Sequence, residues 1–229
     1  MTKINSLIQQ FNINIRKSKK AKNIAIKIIN QKVELVIPFW VPVKLGHKFL
    51  ISKEKWIENT LKNIVNINDH INENQYPIFG KYYDIVHAEC RLMKYAKIEG
   101  DIIKVYGMKQ DINNSLKQLF INTITNKINE LCQFYANKHN FAYNKILIKD
   151  LKTKWGSCSS LKNLSFNWRI IFAPIEVVQY LVVHELCHLK EMNHSKKYWK
   201  LVEEIYPNYK EQRLWLKNNG TKLYNLSFG

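Results

Sequence analysis

The segment HELCHLKEMNH, residues 184–194, holds three of the seven histidines in the chain. His184 and His188 are four apart, so on a helix both imidazoles project from one face of one turn. This is the HExxH arrangement, in which two ring nitrogens are offered to zinc and Glu185 stands beside them. His194 comes ten residues after His184. On a straight helix it would sit about 15 Å up the axis and about 80° around it, out of reach of a shared ion. The chain must therefore bend after Lys190. Asn193 tolerates left-handed backbone, and Ser195 can cap a new helix, KKYWKLVEEIY, that stops at Pro207. His194 then lies in the corner between two helices, aimed back at the first. Three neutral imidazoles and a water form the shell of a catalytic zinc site. Glu203 or Glu204 is the alternative third ligand.

Such a shell implies a mechanism. Zinc lowers the pKa of its water from about 15.7 to about 7. Glu185 would activate that water by taking its proton, then pass the proton to a leaving amine. Attack on a carbonyl, and so peptide hydrolysis, suits this pairing. Around it, KNLSFNWRIIFAP reads as a strand over 163–172, a candidate edge for an extended peptide. Arg169 on that strand is a candidate substrate or oxyanion contact, or else a structural residue. Trp155 and Ser157 lie on a loop, TKWGSCSS, of a kind that can line a site, with packing the expected role of Trp155. Cys158 has no thiol partner in its segment, and Cys187 sits about 100° around the helix from His188. Both read as free thiols. His47, His70, His87 and His139 have no ligand spacing and read as surface or packing residues.

The elements that must position these groups are of two styles. Residues 10 to about 37 alternate apolar and polar positions, the period of a strand, and Pro38 and Pro42 end the pattern. A helix is expected in SKEKWIENTLKNIV, with Ser52 as its N-cap. YPIFGKYYDIVHA, CRLMKYAKI and IIKVYG read as further strands. From Asp111 the period becomes helical, with Leu116, Phe120, Ile124, Ile128, Leu131 and Tyr135 on one stripe. A strand closed by Pro174 then leads into the helix PIEVVQYLVVHELCHLK. The expectation is an α+β protein, with a β-rich part over 1–110 and a mainly helical part over 111–229 that carries the HExxH helix.

With 229 residues, 46% hydrophobic and 24% charged, the chain has the composition of a globular protein with a sizeable core. No apolar run reaches the roughly 18 residues of a membrane helix, and the first twenty residues lack a secretory signal. The four cysteines are scattered, with no CxxC pair. A cytoplasmic protein with reduced thiols is expected. The net charge of +18 invites a nucleic-acid partner. It is diffuse, however, at +10 over 1–110 and +8 over 111–229, and it comes from 32 lysines against 4 arginines. Asn (26) and Ile (29) are abundant as well, and all three residues share A/T-rich codons. The one dense cluster is RKSKKAK, residues 16–22, so any polyanion contact should centre on Arg16, Lys17, Lys19, Lys20 and Lys22.

Residues 155–209 resemble the YgjP-like metallopeptidases, which are related to the SprT-like proteins. Trp-Gly-Ser-Cys-Ser, the Phe-Asn-Trp strand, the HExxH helix and Asn-His-Ser followed by an aromatic pair occur in that family's order. The N-terminal strands and SKEKWI fit more loosely. The resemblance implies a zincin-like fold, His184, His188 and His194 as zinc ligands, and Glu185 as the catalytic residue. Two features depart from metzincins, which share the third-histidine spacing. Glu191 stands where they place Gly, and no Met follows Met192. The leading expectation is a zinc-dependent peptidase acting on peptides or proteins. Two alternatives are a zinc hydrolase of nucleotide phosphoanhydrides, which no GxxxxGK phosphate loop supports, and a metal-stabilised nucleic-acid-binding protein. The SprT-like resemblance also allows a DNA-associated protease.

Overall fold

A computed structural model describes residues 3–29, 32–58, 61, 75–224 and 226. The chain divides into two compact units, Met1–Asn72 with Tyr224–Ser227, and Glu73–Leu223 with Phe228–Gly229. The change from β-rich to helical sequence near residue 110 falls inside the second unit.

In the first unit the alternating stretch forms β1 (Asn14–Ser18), β2 (Ala25–Ile29) and β3 (Lys32–Pro38). β3 is central, parallel to β1 and antiparallel to β2. Alternation places Val33, Leu35 and Ile37 on one face, where they are buried with Leu7, Ile13, Ile28, Leu50 and Ile57. Leu7 comes from α1 (Lys3–Gln10) and Leu50 from α2 (Val43–Ser52), two helices the apolar pattern does not announce. Ser52 does not cap a helix start. It is the last residue of α2, and its hydroxyl donates to the Phe49 carbonyl (2.7 Å). Residues 54–58 are helical, while 59, 60 and 62–65 of the expected helix lie outside the described residues. In the basic cluster, Arg16 pairs with Glu34 at 2.8 Å. The Lys17 and Lys19 ammonium groups lie 5.8 and 6.0 Å from the centre of the exposed Phe39 ring.

The second unit opens with β4 (Gln75–Ile78), β5 (Lys81–Glu89), β6 (Tyr95–Glu99) and β7 (Ile102–Gly107), in the order β4-β5-β7-β6. Phe79 and Gly80, at φ +52° and +88°, make the two-residue turn between β4 and β5. The expected strand CRLMKYAKI begins only at Tyr95. The helical stripe becomes α3 (Ile112–His139), which buries Leu116, Phe120, Ile124, Ile128 and Tyr135. Asn140, at φ +53°, stops it in the left-handed conformation. α3 packs on β6 and β7, on β8, and on the helix that carries His184.

A second sheet of this unit comprises β8 (Lys145–Lys149), β9 (Gly156–Cys158) and β10 (Asn163–Asn167), in the order β8-β10-β9. The expected strand over 163–172 thus stops at Asn167. The Asn167 side chain accepts the Arg169 N–H at 3.1 Å and turns Trp168–Phe172 into a 3-10 segment. β10 lies between β8 and β9, so it offers no free edge, and the short β9 does. Three helices follow: α4 (Ile175–Cys187), α5 (Lys196–Ile205) and α6 (Tyr209–Tyr224). Among the described residues no helix is long and apolar enough to cross a membrane.

Candidate metal centre

α4 is apolar along most of its length, and Val177, Val178, Leu181, Val182 and Leu186 are buried. A core helix of this kind gives its polar residues fixed positions. His184 and Glu185 occupy its last turn, and His188 is its C-cap. The chain leaves the helix directly after Cys187, earlier than a bend at Lys190. The amides of Lys190 and Glu191 both return to the Cys187 carbonyl (3.1 and 3.0 Å). Asn193 does not adopt the left-handed backbone. Its side chain instead accepts the Ser195 N–H (3.1 Å). Ser195 then caps α5, its hydroxyl accepting the Tyr198 N–H (3.3 Å). Two short side-chain devices therefore return His194 to α4.

The three imidazoles each offer a nitrogen, and these atoms all lie within 4.8 Å of one another. His184 Nε2 and His194 Nε2 are 3.2 Å apart. Two nitrogens about 2.0–2.1 Å from a tetrahedral ion would be separated by about 3.3 Å. In two of the three rings the other nitrogen has a partner of its own. His188 Nδ1 donates to the Glu191 carbonyl (3.1 Å), so its Nε2 is the free base. His184 Nδ1 faces the Tyr180 hydroxyl at 3.4 Å. Burial holds His184 neutral, down to about 3, with His188, His194 and Arg213 adding to the shift. Burial also lowers His188. Neutral imidazoles are what a cation requires, so the donor set fits a divalent metal.

The aromatic pair after Ser195 braces the cluster. The Tyr198 ring stacks on His188 (4.5 Å between centroids, 23°), and its hydroxyl donates to the His184 carbonyl (2.9 Å). Trp199 stacks on His194 (5.5 Å, 22°). Glu191 takes part through its backbone at negative φ, so a glycine is not needed there.

Glu185 does not join the ligand group. It is 3% exposed, and its Oε2 has no hydrogen-bond partner among the described residues. Burial raises its pKa to about 8, opposed by Lys154. The side chain lies against Gly156 of β9, where an added Cβ would fall 2.8 Å from its Cγ and Cδ. Only glycine lets the edge strand approach the carboxylate so closely.

The other candidate residues fall around this centre. Glu203 pairs with Lys210 at 2.9 Å, and neither it nor the exposed Glu204 is in the converging group of histidines. The Arg169 guanidinium pairs with Asp150 and lies 4.5 Å from the Trp168 ring centre. Ser157 and Cys158 lie on β9. Cys158 and Cys187 are free thiols raised by burial, Cys187 to about 12. His87 bonds the Gly107 carbonyl (2.7 Å), His139 stacks on Tyr135, and His70 lies outside the described residues. Trp155 packs on α6, where a Cβ at Gly220 would fall 2.8 Å from its Nε1. Gly220→Ala should therefore cost about 1–3 kcal/mol by overpacking, read as a lower urea midpoint. An unchanged midpoint would show that this contact yields freely.

Arg213 of α6 escapes the motif reading. Its guanidinium carbon lies 4.3 Å from the centre of the Trp199 ring that stacks on His194. One signal could have found it. In a chain with 32 lysines, an arginine stands out as a place where an ammonium would not serve.

A search of curated protein sequences finds no significant match. Two crystal structures of metallopeptidase zymogens are similar to part of the chain. Abylysin of Pyrococcus abyssi is 23% identical over 39% of this chain and 93% of its own, with a TM-score of 0.36. Jannalysin of Methanocaldococcus jannaschii is 25% identical over 40% of this chain and 95% of its own, also at 0.36. The model of the YgjP-like metallopeptidase domain matches residues 22–219, nearly the whole chain, and the protein belongs to that family.

Proposed function

We propose that this metallopeptidase is a zinc enzyme of zincin-like fold, with His184, His188 and His194 as the metal ligands and Glu185 as its proton carrier. The observation that carries this reading is a three-imidazole cluster beside a buried carboxylate that has no hydrogen-bond partner among the described residues. A bound zinc ion would polarise the scissile carbonyl and make a water acidic enough to ionise near neutral pH. Glu185 would accept the proton from that water and deliver it to the leaving amine. Its raised pKa suits a group that must both take and give a proton near neutrality. The free edge of β9 would receive the substrate as an added antiparallel or parallel strand, with main-chain hydrogen bonds giving affinity. Gly156 places that strand close against Glu185. The lysine excess would be compositional, and any polyanion contact would centre on residues 16–22.

The test is metal analysis of the purified protein and of His194→Ala. About one zinc per wild-type chain is expected, with affinity weakened by at least about tenfold in the variant. Wild-type affinity in His194→Ala would exclude this residue as a ligand.

A further inference from the structure

Arg213 is exposed, and among the described residues it pairs with no carboxylate. Two other arginines show the contrast. Arg16 is held by Glu34 and Arg169 by Asp150. What holds Arg213 is an aromatic stack. The Trp199 ring stacks with the His194 ring (5.5 Å, 22°) and with the Tyr209 ring (5.3 Å, 16°), and the Arg213 guanidinium lies 4.3 Å from the Trp199 ring centre. Tyr209 is buried, so the stack is anchored in the core. A guanidinium fixed in this way keeps its five N–H donors and gives up little rotamer freedom when it binds.

Its position relates it to the reaction. Trp199 is 5.9 Å from the His184 ring centre, and Arg213 is 4.3 Å from Trp199. The guanidinium carbon is therefore no more than about 10 Å from His184. Its charge is felt at His184, Tyr180 and Tyr198. An extended peptide advances about 3.3–3.6 Å per residue, so that reach corresponds to at most about three residues from the scissile bond. The Glu185 carboxylate, next to His184 in the chain, is buried against Gly156. Exposed positive charge beside the cluster is thus left for a ligand.

Resting on the peptidase reading above, we infer that Arg213 is a carboxylate anchor. It binds a carboxylate of the peptide substrate within about three residues of the scissile bond, whether an acidic side chain or the free C-terminus. The planar fork matches a carboxylate in bidentate fashion, and such a contact fixes how far the peptide slides along β9. Arg213 binds and orients, and it takes no part in proton transfer.

Three peptides with one core sequence test this: one with a free C-terminal carboxylate, one amidated with an Asp near the cleavage point, and one amidated and neutral. A charge-assisted hydrogen bond supports an effect of about 10- to 100-fold. Arg213→Gln should raise KM for whichever carboxylate peptide is preferred by that factor more than for the neutral peptide. Arg213→Lys should recover only part of the loss. A fall in kcat on all three peptides would assign Arg213 to the reacting carbonyl and overturn the anchor. Equal KM values in wild type and Arg213→Gln would overturn it too. Titration of the same peptides onto zinc-loaded Glu185→Gln protein, with and without Arg213→Gln, reads binding without turnover. Arg213-dependent binding of the carboxylate peptides with no cleavage by the wild type would sink the peptidase reading and keep the anchor. Cleavage and binding that ignore Arg213 would do the reverse.

Discussion

Glu185→Gln should lower kcat/KM for peptide hydrolysis by about 10³-fold, within the 10²–10⁴ range of a general acid–base group. The zinc content and the fold should stay as in wild type. The two halves of this expectation come from separate observations. Glu185 is outside the group of converging nitrogens, so its replacement leaves three ligands in place. It is also 3% exposed, with burial favouring the neutral acid, so a neutral amide of the same shape suits the same space. Steady-state kinetics and metal analysis on the same preparation check both. Activity above about one tenth of wild type would remove Glu185 from proton transfer. Loss of zinc along with activity would make it a ligand or a structural support of one.

The residues of this site were legible to unequal degrees, and the reasons are physical. His184, Glu185 and His188 follow from the 3.6-residue period, which fixes relative direction wherever a helix forms. His194 follows because a straight helix cannot bring it back, and Ser195 marks where a new helix can start. How the bend is made did not follow. It uses the Asn193 side chain and the Cys187 and Glu191 carbonyls, whose partners are set by tertiary geometry. β9 is three residues long, too short to show alternation, so the sequence points instead to the strand beside it as the edge. The apolar run WRIIF is compatible with strand or with a buried 3-10 turn, and the Asn167 side chain decides. α6 carries charge on several sides and lacks a clear apolar stripe, which left Arg213 without a place. The division of the chain was hidden for another reason. Composition reports the type of element, and it changes near residue 110. Packing decides which elements share a core, and the first unit closes its own around Leu35 and Ile37.

Burial of Glu185 has a consequence for the protein stripped of metal. Its carboxyl is held near 8 in the folded state and is ordinary, near 4.5, when unfolded. Between these values the folded state binds the extra proton, so stability falls as pH rises. His184 acts in the opposite sense. It is lowered to about 3, so the unfolded chain takes up the proton below 6.5 and stability is lost toward acid. The two slopes overlap between about pH 4.5 and 6.5, and a single pH curve cannot separate them. Glu185→Gln separates them, because it removes one and keeps the other. At pH 4 and below the metal-free variant and wild type should be about equally stable, since the wild-type carboxyl is then mostly protonated in both the folded and the unfolded state. At pH 8 and above the variant should be the more stable by a few kcal/mol, the order set by a shift of several pKa units in a group this buried. Urea unfolding after chelation, at three or four pH values, measures the difference directly. Parallel curves for the two proteins would mean that water reaches the carboxylate in the folded state, and that Glu185 is not the desolvated group the packing against Gly156 makes it. Reloading the metal should shrink the divergence, because a divalent charge beside the carboxylate favours its ionised form.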